Sequence, residues 1–302
     1  MPSSPLPAHP ASAAGVEVLS GPPLTVLRVP VLSDNYVWIV RSHAGGPDGR
    51  GLVAVVDPAE AAPVAAALAE ASRRVDGWPA GRLDYILNTH HHFDHVGGNL
   101  ELKKRFPGCR VVGPKADAAR IPGLDIPVGD GDSGGDFSLG PGLDLVAIDT
   151  PGHTRGHVCL WFPGAKCLFT GDTVFAMGCG RLFEGDAPTM WRSMRKLRDA
   201  PHAIPADTVV FCAHEYTQSN ARFAAEVAEP ENEALRARRE AVDDARAKGL
   251  GTVPFLWGEE LETNPFLRAD KAGVAKAAGV VADAENAEEV FRRVRAAKDT
   301  FR

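Results

Sequence analysis

The chain has 302 residues, 44% of them hydrophobic and 24% charged, with a formal net charge of -6. That composition excludes a disordered chain, and the acidic balance argues against a general nucleic-acid binder while leaving room for a local basic pocket. No apolar run nears the roughly 20 residues that span a bilayer.

The opening "MPSSPLPAHPASAAG" carries no Lys or Arg and no continuous apolar core, so residues 1–23 read as a disordered tail and not as a signal peptide. Five cysteines, Cys109, Cys159, Cys167, Cys179 and Cys212, are scattered without a CxxC pair, which suits a reducing cytoplasm. From Leu24 to Ser42, β-branched alternation around the turn Ser33-Asp34-Asn35 predicts two paired strands. "GLVAVVDP" follows as a strand and Ala62 to Val75 as a helix. "LDYILNTH" is a strand that runs into "THHHFDHVGGN", after which one helix to Phe106 and a strand "RVVG" are expected. The Gly/Asp-rich stretch from Ile126 to Gly140 reads as loops.

Three strands, "LDLVAIDTPG", "HVCLWFPG" and "CLFTGDT", come next with short turns, the pattern of antiparallel pairing. "PTMWRSMRKLRDA" is a helix opened by a proline, and "DTVVFCAHEY" one more strand. Beyond Tyr216 the text turns to Ala, Glu and Arg, with helices expected at Gln218 to Ala228, Glu233 to Lys248, Lys271 to Ala278 and Ala287 to Phe301. A boundary near residue 215 follows. Two layers of sheet with helices outside, then an all-helical third, accommodate the pattern.

Seven of the ten histidines fall in three short segments: His90, His91, His92 and His95; His153 and His157; and His214. Histidines gathered beyond strand ends are what a metal site needs. Strand alternation points His90 and His92 to one side and turns His91 away. Asp94 and His95 sit where the chain enters the next helix, and Asp172 and His214 each lie just past an apolar strand. His90, His92, Asp94, His95, His153, Asp172 and His214 exceed the four ligands of one tetrahedral ion. Either two ions share Asp172, which the count favours, or some of the seven support a single ion from outside. His157 is expected to support a turn, and Cys179 has no neighbouring base that would make it a nucleophile.

The spacing H-x-H-x-D-H with the downstream histidine, aspartate and histidine resembles the metallo-β-lactamase superfamily. Within it, "SDNYVWIV", "TPGHTRGH", "FTGDTVFAMGCGRLFEG", "AHEYT" and "TNPFLR" resemble the glyoxalase II, or hydroxyacylglutathione hydrolase, family. The resemblance implies an α+β fold: an αββα sandwich of two mixed sheets flanked by helices over residues 24–215, and an all-helical substrate-binding domain over 216–302. It implies one metal held by His90, His92 and His153 and a second by Asp94, His95 and His214, with Asp172 bridging. Two divalent ions, zinc first and iron or manganese next, would supply a metal-bound hydroxide. Asp172 and Asp94 would then be the catalytic carboxylates. The same resemblance places the glutathione part of a thioester against Arg181, Leu182, Phe183, His214, Glu215, Tyr216, Arg295 and Lys298. Arg181 and Phe183 replace a lysine and a tyrosine of familiar animal members, so the charge stays and a hydroxyl is lost. On the last helix, Val290, Val294, Ala297 and Phe301 form a buried stripe, with Arg295 and Lys298 on its flank.

The activity implied is hydrolysis of S-(R)-lactoylglutathione to glutathione and (R)-lactate, in methylglyoxal detoxification, by a monomeric cytoplasmic enzyme. Its partner is a small molecule, with no nucleic acid and no membrane. Alternatives in the superfamily are a persulfide dioxygenase using one iron, and a lactonase or β-lactam hydrolase.

Overall fold

The computed structural model describes residues 17–18, 23–43, 49, 51–130, 136–138 and 144–301. Seven strands make the first sheet in chain order: β1 (Glu17–Val18), β2 (Leu24–Val31), β3 (Asn35–Ser42), β4 (Val53–Val56), β5 (Tyr85–Leu87), β6 (Arg110–Pro114) and β7 (Leu124–Val128). β1 to β4 pair antiparallel and β4 to β7 parallel. The parallel half needs crossovers, supplied by helix α1 (Ala61–Arg74), by the pair α2 (Phe93–Val96) and α3 (Asn99–Arg105) and, between β6 and β7, by a segment with the single 3-10 turn Lys115–Asp117.

The second sheet contains β8 (Asp136–Ser138), β9 (Asp144–Asp149), β10 (Val158–Phe162), β11 (Cys167–Gly171), β14 (Val209–Cys212) and β15 (Phe255–Leu256), in the order β15-β14-β11-β10-β9-β8. β8 to β11 are antiparallel, as the short turns predicted for β9, β10 and β11, whereas β14 joins β11 in parallel after helix α4 (Ala187–Arg198). A small hairpin, β12 (Val174–Phe175) and β13 (Gly178–Cys179), follows β11. The remaining helices are α5 (Thr217–Phe223), continued by a π-helical turn Ala224–Ala228, then α6 (Glu233–Ala247), α7 (Trp257–Thr263), α8 (Ala272–Ala277) and α9 (Ala287–Thr300).

Strand alternation divides the core. Val26, Trp38, Val40, Ala54, Val56, Leu87 and Val112 face the second sheet's Ala147, Leu160, Phe169 and Phe211. Their neighbours Leu27, Val37, Ile39, Val55, Ile86 and Val111 face outward onto Val64 and Leu68 of α1 and Leu102 of α3. Each large side chain so buried contributes about 1.5–3 kcal/mol. With both faces covered, β3 is buried at every position, which is why it reads as a nearly unbroken apolar run.

Four expectations need correction. The single helix after the histidine cluster is two short ones, because the chain at Gly97 and Gly98 lies against the turn after β4. A Cβ at Gly97 would stand 2.6 Å from the Ala59 carbonyl oxygen, and one at Gly98 2.8 Å from that of Pro58. The stretch expected as loops contains β7 and β8; β7, "LDIPV", is an edge strand, where a proline and solvent-facing aspartate are tolerated. Glu17–Val18 of the expected tail pair with Arg28 and Leu27, while most of the tail lies outside the described residues. The C-terminal region is helical but also contributes β15, paired antiparallel with β14.

No packing break accompanies the composition change near residue 215. Phe223, Phe266 and Phe291 belong to the same buried cluster as Phe169 and Phe211, and Trp191 of α4 lies 6.0 Å from Phe291 of α9.

Candidate active site

The ends of four strands and two turns converge at one edge of the sandwich. Asp57 follows β4, Thr89 and the histidine cluster follow β5, Asp172 follows β11 and His214 follows β14; the β2–β3 turn adds Asp34 and the β9–β10 turn His153. A bridge between Asn35 and His214, and a 2.7 Å bond from the Tyr36 N–H to the Ala213 carbonyl, lock the two sheets together here.

All seven residues singled out as candidate ligands meet. His90 Nε2 and His153 Nε2 lie 3.1 and 3.0 Å from His92 Nδ1. Asp94 Oδ2 lies 3.4 Å from His95 Nε2 and 3.5 Å from His214 Nε2. Asp172 stands between the trios: Oδ2 is 3.3 Å from His153 Nε2, and Oδ1 is 3.6 and 3.4 Å from His95 Nε2 and His214 Nε2. Within each trio the ligand atoms are all within 4.8 Å of one another.

The other ring nitrogens are tied down, which fixes what faces the gap. His95 Nδ1 donates to Asp57 Oδ2 at 3.1 Å, His214 Nδ1 to Asp34 Oδ1 at 2.8 Å, and His153 Nδ1 to the Arg181 carbonyl at 2.9 Å. Thr89 Oγ1 donates to Asp57 Oδ2 and receives His90 Nδ1 at 3.0 Å, so Asp57 orients an imidazole of each trio. Asn35 donates to Asp94 Oδ2 at 3.0 Å. A third grouping, Asp57 with His90 and His95, is therefore a hydrogen-bonded support beneath the trios.

Burial, reinforced by neighbouring histidines, keeps His90 far below the ordinary imidazole range and takes His92 down to about 4; burial also lowers His153. These rings are neutral, as ligation requires. Burial opposes charge on His95 and His214 too, but Asp172 in both cases, with Asp57 beside His95 and Asp34 beside His214, raises them. Despite its burial, Asp172 stays ionised well below the carboxylate range because His214 and His95 adjoin it. Buried His95 Nε2 and Asp172 Oδ1 have no hydrogen-bond partner, and both face the second trio. Orphaned buried polar atoms of this kind, with carboxylate oxygens and imidazole nitrogens converging, fit divalent cations.

His91 is turned away, its Nδ1 on Asp117 Oδ2 at 2.7 Å. His157 accepts from the Asp172 N–H at 3.1 Å and stacks 4.9 Å from His90, supporting the site from below.

A cavity of about 480 Å³ opens from His153 and Asp172. Arg181, Phe183, Tyr216, Arg295 and Lys298 line it, with Phe175, Ser219, Asn220 and Phe301. Phe183 is exposed, its ring 5.6 and 5.3 Å from those of His92 and His153. Lys298 Nζ donates to Ser219 Oγ at 3.0 Å.

Four of the expected substrate contacts also have partners within the fold. Glu215 is turned into the structure, accepting from the Tyr36 hydroxyl at 2.8 Å and from the Thr252 N–H and hydroxyl. His214 spends both ring nitrogens, one on Asp34 and one toward the carboxylates, and belongs to the second trio. Leu182 packs against the main core. Arg295 is 5% exposed; Nη1 donates to the Cys179 carbonyl at 2.8 Å and Nη2 to Asp299 at 3.0 Å. It shares a buried face with Phe291, one helical turn earlier, so most of its guanidinium is held by the fold while Nε stays unpartnered where the residue lines the cavity. Asp57, Asp34 and Asn35 were missed. Their signal is position: Asp57 ends the strand "VAVV", and Asp34-Asn35 form the turn between two strands.

The family model for the Metallo-beta-lactamase superfamily matches residues 33–214, and that for the Hydroxyacylglutathione hydrolase C-terminus matches 215–301. A hydroxyacylglutathione hydrolase of Methylococcus capsulatus is 50% identical over 92% of this chain and 99% of its own length. One from Rhodospirillum rubrum is 48% identical over 92% and 99%. Among solved structures, ETHE1 from Myxococcus xanthus shares the fold at a TM-score of 0.56 and 20% identity, covering 90% of this chain and 89% of its own. The sandwich, the paired trios and the C-terminal helices thus place this chain in the hydroxyacylglutathione hydrolase family of the metallo-β-lactamase superfamily.

Proposed function

We propose that the chain hydrolyses glutathione thioesters, S-(R)-lactoylglutathione first among them, with a pair of divalent ions held at the two trios. The observation that carries this is Asp172, its two carboxylate oxygens divided between the trios in a cavity that Arg181, Arg295 and Lys298 also line. His90, His92 and His153 would hold one ion, Asp94, His95 and His214 the other, and Asp172 both; zinc suits the mixed imidazole and carboxylate set, with iron and manganese as alternatives. When bound, such ions lower the pKa of water toward about 7 and polarise the carbonyl under attack.

The chain's own residues do the rest. Asp57 and Asp34 fix the tautomers of His95 and His214 so that Nε2 of each faces the carboxylates. Asn35 holds Asp94 at the open side of the second trio. Phe183, Phe175 and Tyr216 give the cavity apolar walls, and Lys298 and Arg181 meet the carboxylates of the tripeptide. A thiol leaving group with a pKa of roughly 8.5 departs as thiolate without a dedicated acid.

Residues 24–215 would then be the catalytic unit and 216–302 the substrate-reading one, in a monomer of the cytoplasm. Five free, buried cysteines support that location. The relatives and the match over residues 215–301 favour the hydrolase over a persulfide dioxygenase, a lactonase or a β-lactam hydrolase. The test is a metal count on purified protein with a thiol-release assay on lactoylglutathione; fewer than two ions with no thiol released overturns the reading.

A further inference from the structure

The segment from Gly180 to Asp186 carries two cavity-lining side chains, Arg181 and Phe183, yet has no regular secondary structure. Something outside it must hold its shape, since irregular backbone lacks a ladder of its own. On the backbone side, the His153 carbonyl accepts from the N–H groups of Phe183 at 3.2 Å and Glu184 at 3.3 Å. On the side-chain side, the Glu184 carboxylate takes a two-pronged bond from Arg120: Nη1 donates to Oε1, and Nη2 to Oε2 at 3.1 Å. Oε2 also accepts from the Arg155 N–H at 2.9 Å. Arg120 is itself held from below, donating to buried Asp117 and, at 3.0 Å, to His91 Nε2. Asp117 in turn lies so close to the β9–β10 turn that a Cβ at Gly156 would stand 2.3 Å from its carboxyl carbon.

We infer that Glu184 and Arg120 are positioning residues for glutathione recognition: their ion pair fixes the Arg181–Phe183 wall over His92 and His153. This gives the non-ligating His91 a task. Its Nδ1–H on Asp117 leaves Nε2 free to accept from Arg120, so the middle residue of the histidine run anchors the clamp while its neighbours face the cluster. A fork of two charge-assisted bonds fixes orientation as well as distance, which suits a wall that must present one ring and one cation to a ligand.

The inference rests on the hydrolase reading, and the experiment separates the two. The metal-loaded, full-length protein is titrated calorimetrically with S-hexylglutathione, a thioether that cannot be hydrolysed, alongside thioester kinetics and a metal count. Glu184→Gln keeps an oxygen for the Arg155 N–H but loses the charge that pairs with Arg120. It should weaken probe binding and raise KM by about tenfold, with kcat and metal content unchanged. Arg120→Gln, at the more exposed end of the pair, should do the same, and the double variant should be no worse than either single one. Unchanged probe affinity in a folded variant overturns the inference. So does a parallel loss of affinity and metal, which would make the network a support for the first trio instead. If the wild-type protein fails to bind the probe, the hydrolase reading falls and the inference with it.

Discussion

Asp57→Asn tests whether the metal site depends on a residue that touches no metal. Asp57 is 3% exposed; Oδ1 accepts from the Thr89 N–H at 2.8 Å, and Oδ2 from the Thr89 hydroxyl at 2.7 Å and from His95 Nδ1 at 3.1 Å. Asparagine keeps the shape and the first bond but sets an NH₂ against two donors. The way out is for His95 to move its proton to Nε2, the atom that faces Asp94 and Asp172. Thr89 must also reorganise, disturbing His90 of the other trio. Outer partners of metal-bound histidines are typically worth roughly 10- to 100-fold in metal affinity, about 1.4–2.8 kcal/mol. Alanine would be a poorer probe, leaving three buried donors unsatisfied at about 1–3 kcal/mol each. The assay is metal content after equilibration with graded chelator, read beside turnover. Asp57→Asn should lose metal at 10- to 100-fold lower chelator strength than wild type, with turnover following metal. Two ions retained at wild-type affinity would refute the reasoning.

Asp172→Asn should drop the metal count below two and turnover with it, measured by elemental analysis and thiol release; full metal with full rate would remove the bridging role. Burial and the nearby Arg295, Arg222 and Arg181 bring Lys298 down to about 8, so its charge is present at neutral pH and lost as pH rises through that value. KM for glutathione thioesters should therefore climb between about pH 7 and 9, and Lys298→Arg should flatten the profile, because guanidinium stays charged. Arg295→Ala should act on stability, lowering Tm by about 5 °C through the lost Cys179 carbonyl bond and the space left over Phe266. Lys298→Ala should raise KM while lowering Tm less than Arg295→Ala does, since Lys298 is half-buried over Phe223 and Phe301 and Arg295 is buried; the two are compared by calorimetry and kinetics.

The two trios were legible because strand alternation and strand ends turn spacing into direction: His90 and His92 share a side, and Asp94 and His95 sit on the following turn. Their supports were not. Asp57 and Asp34 are single carboxylates 38 and 180 positions from the rings they hold, and a place at a strand end or in a turn does not by itself name those rings. Arg295 shows a different limit. Helical periodicity put it on a flank, but the face of α9 is wider than a four-residue stripe, and Phe291 carries Arg295 inward with it. Glu215 likewise stands beside a ligand in sequence, yet its side chain answers to Thr252 across the fold. The sandwich itself was readable from apolar runs, while β7 and β8 were hidden because edge strands tolerate polar and proline-containing text.

The two-residue strand β15 has a consequence out of proportion to its length. It covers the outer edge of β14, the strand that delivers His214, and does so with residues from the region that also lines the cavity. Removing the C-terminal third would strip a pocket wall and also uncover a bare row of N–H and C=O groups beside the histidine, inviting pairing with another chain. Grafting a foreign substrate-reading segment onto this sandwich therefore requires supplying a replacement edge as well as a replacement pocket.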